Sequence, residues 1–450
     1  MGLENTLWTS VSGLTAAQRQ LEVASHNISN VNTPGYSRQR VELQASPPAP
    51  GPGGGRGNGQ IGTGVTVADV VRMRNSLTDS AYWTEAGNAG AASARSEVLQ
   101  RAETVLGPVG SGVPDGLSKF YAAWDDLSLN ANDTAARQGV LDAGNELAGQ
   151  IRSASAQLDR LTSDTTTNVS SAVDDVNRLA QHAAQLNQSI KEAIAAGQSP
   201  NDLQDQRDQV IDQLTNLVGG QVQAGDFGSQ NVYVSNRPLV VGSDFEQMKA
   251  SSSGAVTWAI DNKPVTAGGR IGGLNDVLTN TLPSIKSDLD NFATGLRDLI
   301  NTAHQAGFDQ DGNPGQAFFT GAGASDIAIN ASLTTRNVAA GATTASADAA
   351  NALNIAGLRT TAAVGSNTLG QAIQALAGKL GGLSSSAQNT ESATKSVLDN
   401  ISGQRAQDSS VSTDEELANI VQFQHAYDAA AKVIQVVDAC MDTLVNLVQR

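Results

Sequence analysis

Apolar residues recur every seven positions near both ends of the chain. Leu7, Leu14, Leu21 and Ile28 set one register, with Ala17, Ala24 and Val31 three residues further on, and this spacing predicts a helix carrying a coiled-coil seam. Asn32-Thr33-Pro34-Gly35 supplies the turn residues that stop it. At the other end Ile420, Tyr427, Ile434, Met441 and Val448 interleave with Phe423, Ala430, Val437 and Leu444, which predicts a second helix running almost to Arg450. Ser412 with Glu415, or Thr413 with Glu416, offers a capping box at its start, where free backbone N–H groups and the helix dipole favour such side chains.

Between the ends, Thr134 to Ala196 contains no proline. Its seam Leu147, Ile151, Ala154, Leu158, Leu161 restarts four residues late as Val169, Val173, Val176, Ala180, Ala183, past the polar run Thr162 to Asn168. Such a slip is either a stutter in one helix or a break between two. Leu203, Val210, Leu214 and Leu217 mark another helix, ended by Gly219-Gly220. Beyond it Asn231 to Val234, Leu239 to Val241 and Val256 to Ile260 read as short strands, as does Arg40 to Leu43, while the Pro/Gly-rich Ser46 to Gly64 reads as a loop. Helical spacing returns from Gly273 to Ala306 and breaks at Asp311-Gly312-Asn313-Pro314-Gly315, with irregular sequence to about Gly365. The pattern predicts a mainly α protein: coiled-coil terminal helices plus a long-helix bundle, with a small β-rich outer domain inserted in the middle. The expected division is 1–65 with 405–450 for the terminal coiled-coil part and its loop, 66–218 with 366–404 for the bundle, and 219–365 for the outer part.

Composition narrows the function. Aromatics are 4% of the 450 residues, so the core must be built from Ala, Leu, Val and Ile, which suits closely packed helices. A formal charge of −16 repels nucleic acid and anionic lipid, so neither nucleic acid nor membrane is expected as a partner. Met1 to Gln20 has no basic n-region or apolar h-region, so no Sec-type signal is expected. Cys440 is the single cysteine, which removes intrachain disulfides and cysteine-based zinc sites.

Candidate chemistry is thin. Gly57, Gly59 and Gly62 satisfy a phosphate-loop spacing but lack the strand before and the helix after. Asp309, Asp311 and Asn313 begin like a calcium loop, yet Pro314 stands at the turn glycine and Thr320 at the bidentate glutamate, so a β-turn is expected. Asp202, Asp205, Asp208 and Asp212 share one helical face, which reads as a solvated face on which Asp205→Asn should be mild. His26, His182, His304 and His425 are scattered, and His304 is expected at a surface or a helix cap. No nucleophile or metal constellation emerges, so no cofactor and no catalysis are expected: the chain reads as a building block.

Ser12-Gly13-Leu14-Thr15-Ala16 and the longer run Asn27-Ile28-Ser29-Asn30-Val31-Asn32-Thr33-Pro34-Gly35-Tyr36-Ser37-Arg38 resemble the N-terminal signature of the bacterial flagellar rod, hook and hook-associated proteins. Within that family, Pro200 to Asp208, His304 to Asp309, Ser412 to Asn419 and Phe423 to Tyr427 are similar to members found where hook meets filament. The resemblance implies a structural subunit secreted unfolded by the flagellar type III apparatus and assembling at the hook tip of the extracellular flagellum. It implies as partners further copies in a tubular assembly, the hook protein, a second junction protein and an export chaperone on the C-terminal helix. It assigns the heptad faces to assembly: Leu7, Leu14, Leu21 and Ile28 on one helix, and Ile420, Phe423, Tyr427, Ile434, Val437, Met441 and Leu444 on the other. Asn27, Asn30, Asn32, Thr33, Pro34, Gly35 and Tyr36 form the signature turn, with Tyr36 as a packing anchor. Neither seam can cover itself, so both terminal segments are expected to gain order on docking. The rival readings are another axial subunit, of hook or rod, and a secreted cell-wall hydrolase.

Overall fold

A computed structural model of the chain describes residues 2–50, 60–107 and 112–448. Helices α1 (Gly2–Ser29) and α2 (Ser76–Glu103) flank the strands β1 (Gln39–Ala45), β2 (Ala49–Pro50), β3 (Gln60–Ile61) and β4 (Val65–Arg72). Helices α3 (Val113–Leu129), α4 (Thr134–Ala195) and α5 (Asn201–Val218) follow, then β5 (Gln221–Ala224), β6 (Gln230–Val234), β7 (Arg237–Val241), β8 (Asp244–Phe245), β9 (Met248–Ala250) and β10 (Val256–Trp258). The remainder comprises α6 (Gly269–Asp276), α7 (Leu282–Ala306), β11 (Phe319–Thr320), β12 (Ala328–Ile329), α8 (Ala350–Gly357), β13 (Ala362–Val364), β14 (Asn367–Thr368), α9 (Leu369–Ser409) and α10 (Thr413–Val448). The chain folds into two compact units, one of 1–86, 176–247 and 396–450, the other of 87–175 and 248–395. Among the described residues no helix is long and apolar enough to cross a membrane.

Helix α4 resolves the stutter. It is one helix of 62 residues, and Thr165 is 1% exposed in the gap between Leu161 and Val169, so the buried stripe runs on at spacings of three and four. Thr162, Thr165, Thr166 and Thr167 each donate a hydroxyl hydrogen bond to the carbonyl four residues back, at 2.6 to 3.0 Å. Those bonds satisfy the hydroxyls without breaking the backbone ladder, which is why the polar run stays within one helix.

In the first unit, α1 packs against α10 and against the β1–β4 pair. β1 and β4 are antiparallel, from Gln39 opposite Arg72 to Ala45 opposite Val65, with a bulge between Glu42 and Leu43. Val23, Val41 and Val70, joined by Val67, form a small core where helix meets strands. The Pro/Gly-rich stretch is closed at its base by the short β2–β3 pair; its residues 51–59, with Gly57 and Gly59, lie outside the described residues. The unit also holds a four-stranded antiparallel sheet, β5 to β8 in order, in which Val232, Val234, Leu239 and Val240 are buried.

The second unit packs α3, α7 and α8 around an aromatic cluster of Phe120, Trp124, Phe318 and Phe319. His304 belongs to this cluster and is fully buried, which corrects its expected surface or capping position. The backbone N–H of Ala339 donates to its Nε2 at 2.9 Å, so the ring proton sits on Nδ1 and is donated to the Gln316 carbonyl at 2.6 Å. Arg137, also buried, donates to the carbonyls of Ala131, Thr335 and Val338, so one histidine and one arginine hold an otherwise irregular segment. The Asp309 turn forms as expected: its Oδ1 accepts the N–H groups of Asp311 and Asn313 at 2.9 and 2.8 Å.

Burial lowers the His304 pKa from 6.5 to about 4. An unfolded chain protonates this ring below about pH 6.5 while the folded one keeps it neutral, so stability is full above that value and falls as pH drops towards 4. The expected loss is about 3 kcal/mol over that window. Thermal melts of the parent and of His304→Asn between pH 7 and 4 measure it; equal slopes would refute the assignment.

Candidate assembly interface

The signature turn is built by the end of α1 closing on the start of β1. Asn27, 1% exposed, donates from Nδ2 to the Gln39 carbonyl and accepts the Gln39 N–H on Oδ1, both at 2.9 Å. That reciprocal pair makes a side-chain amide act as one rung of backbone, fixing the angle at which the chain leaves the helix. The Tyr36 hydroxyl donates to the same Oδ1 at 2.8 Å, so the tyrosine anchors the turn through a hydrogen bond as well as through packing against His26. Burial, reinforced by Asp202, Asp205 and Glu416, raises its pKa and keeps it a donor. Asn30 bonds back to the His26 carbonyl, Thr33 donates to Asn30, and the Tyr36 N–H reaches the Thr33 carbonyl, while Asn32 is exposed. The Pro34 carbonyl accepts from Gln209, and Gly35 has φ of +76°, with Gln209 occupying the space a Cβ would need.

Beneath this turn the acidic row of α5 is buried, not solvated. Asp205 accepts the N–H and hydroxyl of Ser37 at 2.9 and 2.7 Å and Arg72 at 2.7 Å. Asp208 accepts Arg72 at 2.8 Å and Arg207 at 2.9 Å. Asp212 accepts Trp83 Nε1 and Arg405 Nη1, both at 2.7 Å. Arg405 also reaches Asp79 at 2.7 Å and lies 4.4 Å from the Tyr82 ring centroid; Arg74 pairs with Asp79 at 2.5 Å. Burial alone would raise Asp208, but Arg207, Arg72 and Arg74 outweigh it and hold the carboxyl below its ordinary value. For Asp212 burial wins, offset in part by Arg405 and Trp83, and its pKa is raised. Only Asp202, 62% exposed, keeps the expected solvated character.

The start of α10 joins the same construction. Ser412 Oγ accepts the Glu415 N–H at 3.5 Å, but the glutamates turn away from the cap: Arg38 donates to Glu416 at 2.7 Å and to Glu415 at 2.9 Å. The Arg38 N–H also reaches the Ser409 carbonyl at 2.8 Å. From this clamp α10 runs antiparallel to α1, with Glu416 and Phe423 beside Asn27, Val23 and Gln20. Leu7, Leu14, Leu21 and Ile28 are half-buried, and the fully covered positions of α1 are Ala16, Ala17, Val23, Ala24 and Asn27. Ile420, Phe423, Tyr427 and Ile434 are half-buried, Val437 is buried, and Met441 and Leu444 are exposed. Leu417, Val421, Val433, Val436, Val445 and Leu447, outside the main heptad stripe, are exposed too. A helix apolar round most of its circumference, with one partner helix, has more to bury than the single chain offers.

Paired terminal helices joined to a signature turn define a class, the axial structural proteins of the bacterial flagellum. Residues 7–36 match the flagella basal body rod protein model and 403–447 the C-terminal model of the flagellar basal body rod FlgEFG proteins. Residues 93–319 match the helical domain of the flagellar hook-associated protein FlgK. The chain belongs to the flagellar hook-associated protein FlgK family. It is 29% identical to flagellar hook-associated protein 1 of Bacillus subtilis over 99% of this chain and 98% of that one. It is 30% identical to the Salmonella typhimurium protein of the same name over 69% of this chain, and spans 58% of that relative's length. The flagellar hook junction protein FlgK from Burkholderia pseudomallei shares the fold, with a TM-score of 0.62 over 75% of this chain and all of that one, at 17% identity.

The network corrects one expectation directly. Asp205→Ala strands Ser37 and leaves Arg72 with one carboxylate, and should destabilise the first unit by about 3 kcal/mol; Asp205→Asn, expected to be mild, should cost a large part of that. Asp202→Asn should change little. Urea melts of the three variants test the ranking, and a parent-like Asp205→Ala would contradict the network.

Proposed function

We propose that the chain is a non-catalytic structural subunit that joins hook to filament, assembling at the hook tip through α1 and α10. The observation that carries this reading is the apolar surface left open round α10 beside a turn fixed by internal hydrogen bonds. The heptad residues named above form the assembly faces, and docking adds the burial that the single chain lacks. Neighbouring copies, the hook protein and a second junction protein share that surface in the tube, and an export chaperone covers α10 beforehand. The route out is the flagellar type III apparatus. In the tube, 1–65 with 405–450 acts as the terminal part, 66–218 with 366–404 as the helical part and 219–365 as the outer part.

Two features favour this over its rivals. The rod-type matches cover only the terminal segments, whereas the match to the helical domain takes in Pro200 to Asp208, which supports a junction subunit over a rod or hook subunit. A hydrolase needs an acid and a base in a cleft, one of them free to hold or take a proton. The carboxylates gathered on α5 are instead tied to Arg72, Arg74, Arg207 and Arg405, which supports a structural role.

Val437→Asp places an unpaired charge where the side chain is 3% exposed, and Ile434→Asp does the same at a half-buried position. Both should abolish incorporation at hook tips and motility, by electron microscopy and swimming assays of a deletion strain supplied with each variant. Normal junctions with Val437→Asp would overturn the reading.

A further inference from the structure

We propose that a cavity beside α1 receives the Trp8 side chain of a second copy, with that copy's Glu4 paired to Arg40, so that neighbouring chains pack head to tail. This rests on the terminal-helix reading and names a contact within it. The cavity, about 290 Å³, has apolar walls at Val23, Ala24, Val41, Met73 and Phe423 and polar ones at Gln20, Asn27, Gln39, Glu416 and Asn419. That is at the lower end of the range of about 300–1,000 Å³ usual for small-molecule pockets and holds one large side chain. Two arginines border it. Arg38 is held by Glu415 and Glu416, whereas Arg40 is exposed and has no ion pair or side-chain hydrogen bond among the described residues. A hollow of mixed apolar and polar lining with a free cation at its edge suits a large side chain with one polar group, such as an indole, accompanied by a carboxylate.

The exposed face of α1 carries that combination. Glu4, Trp8 and Val11 follow the spacing that places residues side by side on a helix. Trp8 is 65% exposed, Val11 38%, and Glu4 is exposed with no side-chain partner among the described residues. Further along, the same face is polar, with Thr15, Gln18, Glu22 and Ser29 all exposed, so the two apolar residues are a local exception. An exposed tryptophan beside a charge is the kind of side chain that dominates protein interfaces when a pocket meets it.

Geometry selects the arrangement. At about 100° and 1.5 Å per residue, Trp8 lies roughly 60°, 160° and 100° round α1 from Val23, Ala24 and Asn27, on average about a quarter-turn away, and about 22–29 Å along the axis. Knob and hollow thus face different directions from one helix and do not both meet the same partner across a two-fold axis. They fit between parallel copies displaced along the helix, a heterologous contact that closes into a ring or runs on as a helix.

The test uses the full-length chain in flagellated cells. Arg40→Glu should lower occupancy of hook tips at least tenfold while its circular dichroism and thermal midpoint stay those of the parent, and adding Glu4→Arg should restore occupancy to within twofold. With Cys440→Ser as background, co-produced chains bearing Trp8→Cys and Arg40→Cys should give a covalent dimer in isolated junctions under mild oxidation. Undiminished occupancy of Arg40→Glu, no rescue by the reversed pair, or the absence of the dimer overturns the contact. If Arg40→Glu incorporates normally while Val437→Asp does not, the contact alone fails; if Val437→Asp also incorporates, the terminal-helix reading fails with it.

Discussion

Asp205 and Asp208 are carboxylates almost wholly withdrawn from water, and the first unit is organised round keeping them paired. Removing one partner from such a cluster leaves a buried charge, a loss of about 3–5 kcal/mol, whereas the intact cluster contributes far less than the sum of its pairs. The cluster therefore acts as a condition on the fold. Its members come from Ser37, from Arg72 to Asp79, from α5 and from Arg405, segments that are local to one another only after the chain has folded. Both ends of the chain must arrive before every charge has a partner.

The polar cluster and the apolar helix pair divide the work by the nature of their forces. Hydrogen bonds and ion pairs are directional, and at Asn27, Tyr36, Arg38 and Glu416 they set where α1 ends and α10 begins. Burial of apolar surface is not directional, so a helix such as α10 accepts cover from whichever neighbour offers complementary shape. The second unit works the other way: His304 and Arg137 supply internal partners to a segment with little regular structure, and the aromatic cluster covers the histidine.

What was legible in the sequence follows from this difference. Heptads reveal a face because burial repeats with the helix, so α1, α10 and the slip in the α4 seam could be read in advance, though not whether the slip broke the helix, as could β1 and the strands β6, β7 and β10. The acidic row of α5 could be placed on one face but not assigned to the interior, since spacing is the same for a solvated face and a buried one. The deciding residues were arginines elsewhere: Arg72 and Arg74 at the end of a strand, and Arg405 in α9, where periodic burial stops at Ala387. For His304 the partners lie at Gln316 and Ala339, in sequence with no period to reveal them.

Exposure along the helix pair gives the division of labour a direction. Glu416, beside the Arg38 clamp, is 3% exposed and Val437 is likewise covered, but Met441, Leu444 and Leu447 rise through 36%, 49% and 66%, and Trp8 on the partner helix reaches 65%. Along the heptad stripe cover falls past Val437, while off that stripe Leu417 and Val421 are already 54% and 53% exposed near the clamp. At the clamped end Asn27, Tyr36, Arg38 and Glu416 have fixed polar partners; at the far end Met441, Leu444 and Leu447 still have a third to two thirds of their surface to bury, at about 25 cal/mol per Å². Assembly driven by such area acts on the outward side of α10 along its length and on its heptad stripe at the far end, while the clamp preserves the direction in which both are presented.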